Sequence, residues 1–326
     1  MSLIERAMGD QGKQPKKTAA TPESSTPEHS SLIERAVAQQ PAPAAQAVPP
    51  TTAVAETVRA NAPTPRRATT PAPTENVTDK TISISIDKMR EAGMVTPDGA
   101  NIEVNAEFRI IKRPLLENAF SRGGQATGTH SNTVMITSAI PGEGKSFCAM
   151  NLAMSLAMEP DHNVILVDAD VHRFTTLREL GAEAQLKHAR GLIDLLHDPA
   201  LPIEHCIHRT NIDKLMILPF GHFQSRATEL FGSRSMLERI DQLCARYQNS
   251  MIVFDCPPIL ATTEARVLAG LMGQVVLIIE AERTTRDQVK EALGYIESAN
   301  VVGTILNKNL NKAAHDYYAS YYYAAA

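Results

Sequence analysis

Six short apolar runs, mostly of β-branched and aliphatic residues, recur after residue 130: 134–137, 164–167, 215–218, 251–254, 275–279 and 301–306. None alternates strictly with polar residues, so each predicts a strand buried on both faces. Helical spacing fills gaps between them, from Phe147 to Met158 and again at Val289, Ala292, Leu293 and Ile296. Residues 106–119 also read as a helix, with Pro114 expected to interrupt it, because proline lacks the N–H and crowds the preceding turn. Further upstream, Ile82, Ile84 and Ile86 alternate with Thr81, Ser83 and Ser85, the pattern of a half-buried strand. Strands alternating with helices predict an α/β class: a doubly wound, mainly parallel sheet whose ligands sit at the strand C-terminal ends.

The first 80 residues carry no such pattern. They are rich in Ala, Pro, Thr, Ser and Gln, hold 11 of the 20 prolines, and lack any aromatic residue; the first is Phe108. Such a composition cannot bury enough apolar surface to offset the entropy of ordering it, so residues 1–80 are expected to be a disordered extension. The predicted folded domain is 81–312, and residues 313–326 form a separate tail. Within the extension Ser2-Leu3-Ile4-Glu5-Arg6-Ala7 recurs as Ser31-Leu32-Ile33-Glu34-Arg35-Ala36. A serine three residues before a glutamate is a capping box, so each copy is a candidate short docking helix.

A net charge of −4 and a pI near 6.2 leave no electrostatic footprint for nucleic acid. Cys148, Cys206, Cys244 and Cys256 show neither metal spacing nor pairing and suit reduced thiols in a cytosol. The chain shows no apolar run of about 18 residues and no secretory signal pattern. A cytoplasmic location is therefore expected.

Chemistry concentrates in three places. The stretch from Thr133 to Ser146 is a strand, a glycine-rich turn and a helix start, ending Pro141-Gly142-Glu143-Gly144-Lys145-Ser146, with Phe147 next. Backbone N–H groups of such a loop, with the helix N-terminus, cradle phosphates; Lys145 can reach the β- and γ-phosphates and Ser146 can ligate Mg²⁺. Ala139 replaces the first glycine of the usual pattern. Two strand ends add carboxylates, Asp168 with Asp170 and Asp255, as hard oxygen ligands or bases. Asp170 is read as the general base, with Ser146, Asp168 and Asp255 as Mg²⁺ partners; Arg173 is placed to compensate charge or to form a surface pair. Finally, five of the seven tyrosines fall in the last ten residues: Tyr317, Tyr318, Tyr321, Tyr322 and Tyr323. Phenols beside an ATP site are competent phosphoryl acceptors once a base takes the proton.

Together these motifs, from about Glu107 to Tyr323, resemble the bacterial tyrosine kinases of exopolysaccharide and capsule export. Within them the chain looks most like the tyrosine autokinases of exosortase-associated (PEP-CTERM) loci. The resemblance implies a P-loop core of the partition-ATPase kind and ATP- and Mg²⁺-dependent autophosphorylation of the tail in trans. It also implies a ring of subunits, a separate membrane co-polymerase as activator that recruits the chain to the inner face of the plasma membrane, and a tyrosine phosphatase. It maps nucleotide contacts onto Gly142, Glu143, Gly144, Lys145 and Ser146, and a base contact onto Asn307. The family's interface helix, Glu-x2-Arg-x2-Arg, would put Ala106 at the Glu position and Arg109 and Lys112 at the basic ones. Asp168-Ala-Asp170-Val-His172-Arg173-Phe174 also departs from the usual Asp-x-Asp-x-Arg-Arg-Pro. Two alternatives stay open: a partition-type ATPase switch, although Ile140 stands where that group carries its second lysine, and a scaffold of weak catalysis.

Overall fold

The computed structural model describes residues 81–120, 126, 128–170, 181–186, 189–222, 227–296 and 302–310. The extension before residue 81, Arg173 and the tyrosine tail lie outside the described residues. Seven strands form one sheet: β1 (Thr133–Ser138), β2 (Asn163–Asp168), β3 (His208–Arg209), β4 (Leu215–Leu218), β5 (Ser250–Asp255), β6 (Gln274–Glu280) and β7 (Val302–Asn307). Their order is β3-β4-β2-β5-β1-β6-β7, with every pairing parallel except β3 with β4. All six expected strands are present, but β7, at the end of the strand order, is exposed at Thr304 and Leu306 and so is not buried on both faces as its run predicts. The two-residue β3 carried no periodic signal at all.

The helices are α1 (Ile86–Glu91), α2 (Ile102–Ala119), α3 (Lys145–Ala157), α4 (Glu183–Leu186), α5 (Leu192–His197), α6 (Ala227–Phe231), α7 (Arg234–Arg246), α8 (Thr263–Ala269) and α9 (Arg286–Ile296). Side chains alternate across each strand, and the core divides accordingly. Val134, Ile136, Val164, Leu166, Met251 and Val253 pack with α1, α2 and α3 on one face. Met135, Ile165, Val167, Ile252, Phe254 and Leu277 pack with α5 to α9 on the other. Each such side chain contributes roughly 1.5–3 kcal/mol on burial. This two-sided cover is why the strands read as continuous apolar runs.

Three expectations are corrected. The alternating isoleucines do not make a strand. Ile82 forms a single bridge to Thr210, and Asn211 holds both backbone polar groups of Ile84, its Oδ1 accepting at 2.7 Å and its Nδ2 donating at 3.0 Å. Ser85 then caps α1, its hydroxyl accepting from Lys88 N–H at 3.3 Å, so Ile86 begins a helix. Pro114 does not interrupt α2, which runs 18 residues through it. The ring sits on the exposed side, while Phe108, Lys112, Leu115 and Ala119 anchor both halves of the helix. Lys112, expected at a subunit interface, is only 4% exposed within its own chain. Its Nζ lies 2.7 Å from Glu159 and donates to the Ser155 carbonyl at 2.7 Å, tying α2 to the end of α3. Arg109 is exposed on α2.

Candidate active site

The three strands that carry the chemistry are neighbours at the sheet centre, in the order β2-β5-β1. Their C-terminal ends therefore deliver Asp168 and Asp170, Asp255, and the phosphate loop to one place. Asp168 and Asp255 are register partners, as are Ile136 and Asp255. Adjacent partners in a parallel pair present their side chains to the same face, so the two carboxylates are crowded by topology rather than by local sequence.

Between β1 and α3 the loop turns through Gly142 and Gly144, both at φ of 92°, in the left-handed region that costs glycine nothing. A Cβ on Gly142 would come within 3.1 Å of the Arg283 guanidinium, and one on Gly144 would overlap the Asn307 amide. Pro141 is exposed at the rim; Phe147 is half-buried, and its carbonyl accepts from Asn151 Nδ2 at 2.7 Å. Ser138 and Thr137 brace the strand end, through the Ile140 carbonyl at 2.9 Å and the Pro257 carbonyl at 2.7 Å.

Lys145 opens α3 and is 7% exposed. Its ammonium donates to Asp170 Oδ2 and to the Ser146 hydroxyl at 3.2 Å, and lies 3.9 Å from Asp255 Oδ1. Burial works to lower its pKa, but the charges of Asp255 and Asp170 outweigh this and hold it above the usual lysine value. Burial pushes Asp255 up to about 6, against the pull of Lys145 and a hydrogen bond from Ser146, with Asp170 adding repulsion. Burial, then the charge of Asp255, raises Asp168 well above the usual carboxylate range, although its Oδ1 accepts the Asp170 N–H at 3.2 Å. One lysine thus faces three carboxylates, a local excess of negative charge of the kind a cation offsets.

The donor set fits Mg²⁺ held jointly with phosphate oxygens. Asp255 Oδ1 is buried and has no hydrogen-bond partner among the described residues, and the Ser146 hydroxyl is beside the same carboxylate. Among the described residues no group of three or more His, Cys, Asp or Glu is arranged to hold a metal alone. In phosphoryl-transfer sites one or two carboxylates typically share Mg²⁺ with substrate and water.

Two of the expected nucleotide-contact residues also brace the loop from within the chain. Asn307, expected at a nucleotide base, donates its Nδ2 to the Glu143 carbonyl at 2.7 Å and so holds the loop. Glu143, mapped to the phosphate loop, keeps its side chain fully buried behind that loop. Thr284, which bonds it, escaped notice; its place just after a strand C-terminal end was the available signal. The cysteines are free thiols, with burial pushing Cys148, Cys206 and Cys244 up to about 12. No described helix is long and apolar enough to cross a membrane.

Comparison with known proteins agrees with this geometry. Residues 131–312 match the family described as AAA domain. The tyrosine-protein kinase YwqD of Bacillus subtilis is 36% identical over 224 residues, covering 68% of this chain and 83% of that protein. The tyrosine-protein kinase CpsD of Streptococcus agalactiae is 30% identical over 63% of this chain and 87% of its own length. Against EpsB of Ralstonia nicotianae, by contrast, the match spans only 22% of that protein. Among solved structures, the VpsO kinase domain superposes with a TM-score of 0.52 at 30% identity, over 64% of this chain and 96% of that domain. The kinase domain of Escherichia coli tyrosine kinase ETK, at 17% identity and a TM-score of 0.53, covers 71% of this chain and 91% of that domain and shares the fold. A parallel sheet whose central strand ends gather a glycine-rich loop, its lysine and three carboxylates, with these relatives, places the chain in the bacterial protein-tyrosine kinase family, on a P-loop nucleotide-binding fold.

Proposed function

We propose that the chain is an autokinase that transfers the γ-phosphoryl group of ATP to tyrosines of the C-terminal cluster on a neighbouring copy. The observation that carries this reading is the Lys145 ammonium buried between Asp170 and Asp255 at the foot of the phosphate loop. Loop N–H groups from Gly142 to Ser146 hold the phosphates, and Asn307, while its Nδ2 holds the Glu143 carbonyl, also contacts the base. Lys145 exchanges Asp170 for the β- and γ-phosphate oxygens, which leaves the Asp170 carboxylate as base. Ser146, Asp168 and Asp255 would hold Mg²⁺, whose charge would offset that developing on the phosphates. A phenol oxygen of Tyr317, Tyr318, Tyr321, Tyr322 or Tyr323 attacks the γ-phosphorus. The bond to the β,γ-bridging oxygen breaks, ADP leaves with that electron pair, and the phenol proton passes to Asp170.

The resemblance to exopolysaccharide-locus kinases supports the setting. The chain acts in the cytoplasm as a ring with Arg109 at its interface. A separate membrane co-polymerase recruits and activates it, and a tyrosine phosphatase resets it. Each phosphate adds about −1.5 to −2 charges, so five add roughly −8 to −10 and loosen the ring by repulsion. Intact-mass analysis after incubation with ATP and Mg²⁺ tests the core claim. Wild type gains up to five 80-Da phosphates in the tail, at about 80 Da each; Lys145→Ala and a truncation before Tyr317 gain none. ADP release without added mass would identify an ATPase switch instead.

A further inference from the structure

The phosphate loop is gripped from behind by side chains that follow β6 and β7. Three successive loop carbonyls are taken. Arg283 Nη2 donates to Pro141 O at 3.2 Å, Lys308 Nζ to Gly142 O at 2.8 Å and Asn307 Nδ2 to Glu143 O at 2.7 Å. The buried Glu143 carboxylate closes the bracket. Its Oε2 accepts the Ile140 N–H at 2.7 Å, and its Oε1 accepts the Glu280 N–H at 3.3 Å and the Thr284 hydroxyl. The same Thr284 oxygen accepts from Glu280 N–H at 3.1 Å. The Glu280 carboxylate pairs with both cations, Arg283 at 2.7 Å and Lys308 at 3.1 Å. Glu282 and Lys308 adopt φ of 63° and 56°. Left-handed backbone outside glycine persists only where its surroundings over-determine it.

Within a trans peptide unit the carbonyl and the following N–H point opposite ways. Holding the carbonyls of Pro141, Gly142 and Glu143 on the β6–β7 side therefore turns the N–H groups of Gly142, Glu143 and Gly144 toward the cleft. That is the orientation an anion requires. We infer that Glu143, Arg283, Thr284 and Lys308 are positioning residues that preset the phosphate loop for the nucleoside di- or triphosphate. Their side chains touch no substrate atom and act through the loop backbone. The inference rests on the nucleotide-binding reading and adds to it the residues that tune affinity.

The test uses the full-length chain with Mg²⁺ and the fluorescent analogue mant-ADP. Thr284→Val leaves the Glu143 carboxylate and the Glu280 N–H without the hydroxyl, and Lys308→Met frees the Gly142 carbonyl. Each is expected to raise Kd about tenfold, the scale of one charge-assisted hydrogen bond. At saturating nucleotide kcat stays at the wild-type value. Thr284→Ser and Lys308→Arg restore Kd, which a general loss of stability would not allow. Arg234→Ala, on the far-exposed Arg234–Glu238 pair, serves as the charge control and binds normally. If wild type binds and the Val and Met variants bind equally well, the bracket is overturned while the nucleotide reading stands. If wild type itself does not bind, that reading fails, and hydrogen exchange decides the bracket. The Ile140 and Glu280 amides exchange slowly in wild type and at least tenfold faster in Thr284→Val; equal exchange overturns it.

Discussion

Lys145 and the three aspartates around it show how one site can be legible by residue type and illegible by partner. A lysine after a glycine-rich turn and carboxylates at two strand ends were all visible in the chain. Their pairing was not, because Asp170 is 25 positions from Lys145 and Asp255 is 110 away, and only the β2-β5-β1 order brings them together. The role of the Glu143 side chain was hidden for a similar reason: besides Ile140, its partners Glu280 and Thr284 lie some 140 residues downstream. At this scale Asp170→Asn is expected to lower kcat by about 10²–10⁴-fold, the worth of a general base. Nucleotide affinity should stay close to wild type, since an amide still fills the site. Single-turnover phosphotyrosine formation alongside a Kd titration checks this; equal kcat in the two proteins would remove Asp170 as the base.

Among the elements, α2 departs from its sequence reading at Pro114. Pro114 is a local veto on helix, yet the anchors on either side of it, Phe108 and Ala119, are buried in one core cluster and carry the helix across. Lys112 joins that helix to α3 through the Ser155 carbonyl and the part-exposed Glu159. Lys112→Met keeps the aliphatic stem but leaves the Ser155 carbonyl without its donor, while water takes over part of the Glu159 charge, so a loss of roughly 1–3 kcal/mol is expected in denaturant unfolding. The turn between α1 and α2 supplies a pH prediction. The Thr96 hydroxyl donates to Asp98 at 2.5 Å, and with Arg90 and the Ala100 N–H it holds the Asp98 carboxyl down to about 2. A folded-state pKa below the unfolded value favours the fold above the unfolded pKa, near about 4. That contribution disappears as pH falls from about 4 toward about 2. Carboxyl NMR titration should place the Asp98 midpoint near 2, and Thr96→Val should move it upward; an unmoved midpoint would show the hydroxyl to be irrelevant.

For the molecule as a whole, ligand linkage gives the broadest test. A ligand that binds only the folded state adds RT ln(1 + [L]/Kd), about 2.7 kcal/mol at a hundredfold excess over Kd. ADP with Mg²⁺ should therefore raise the thermal midpoint of wild type at that excess. Lys145→Ala should lose most of the increase, and a metal chelator should lower it in wild type. An increase as large in Lys145→Ala would mean that the nucleotide binds somewhere other than the phosphate loop.

Fold class, six of the strands, the phosphate loop and the identities of its acidic partners were written into local pattern, because buried strands and tight glycine turns impose composition within a few residues. Tertiary structure alone decided which carboxylates meet Lys145, where Lys112 and Pro114 stand, and what grips the loop from behind. Those contacts join residues tens to more than a hundred positions apart, through strand order and register, and no window along the chain records the distance between them.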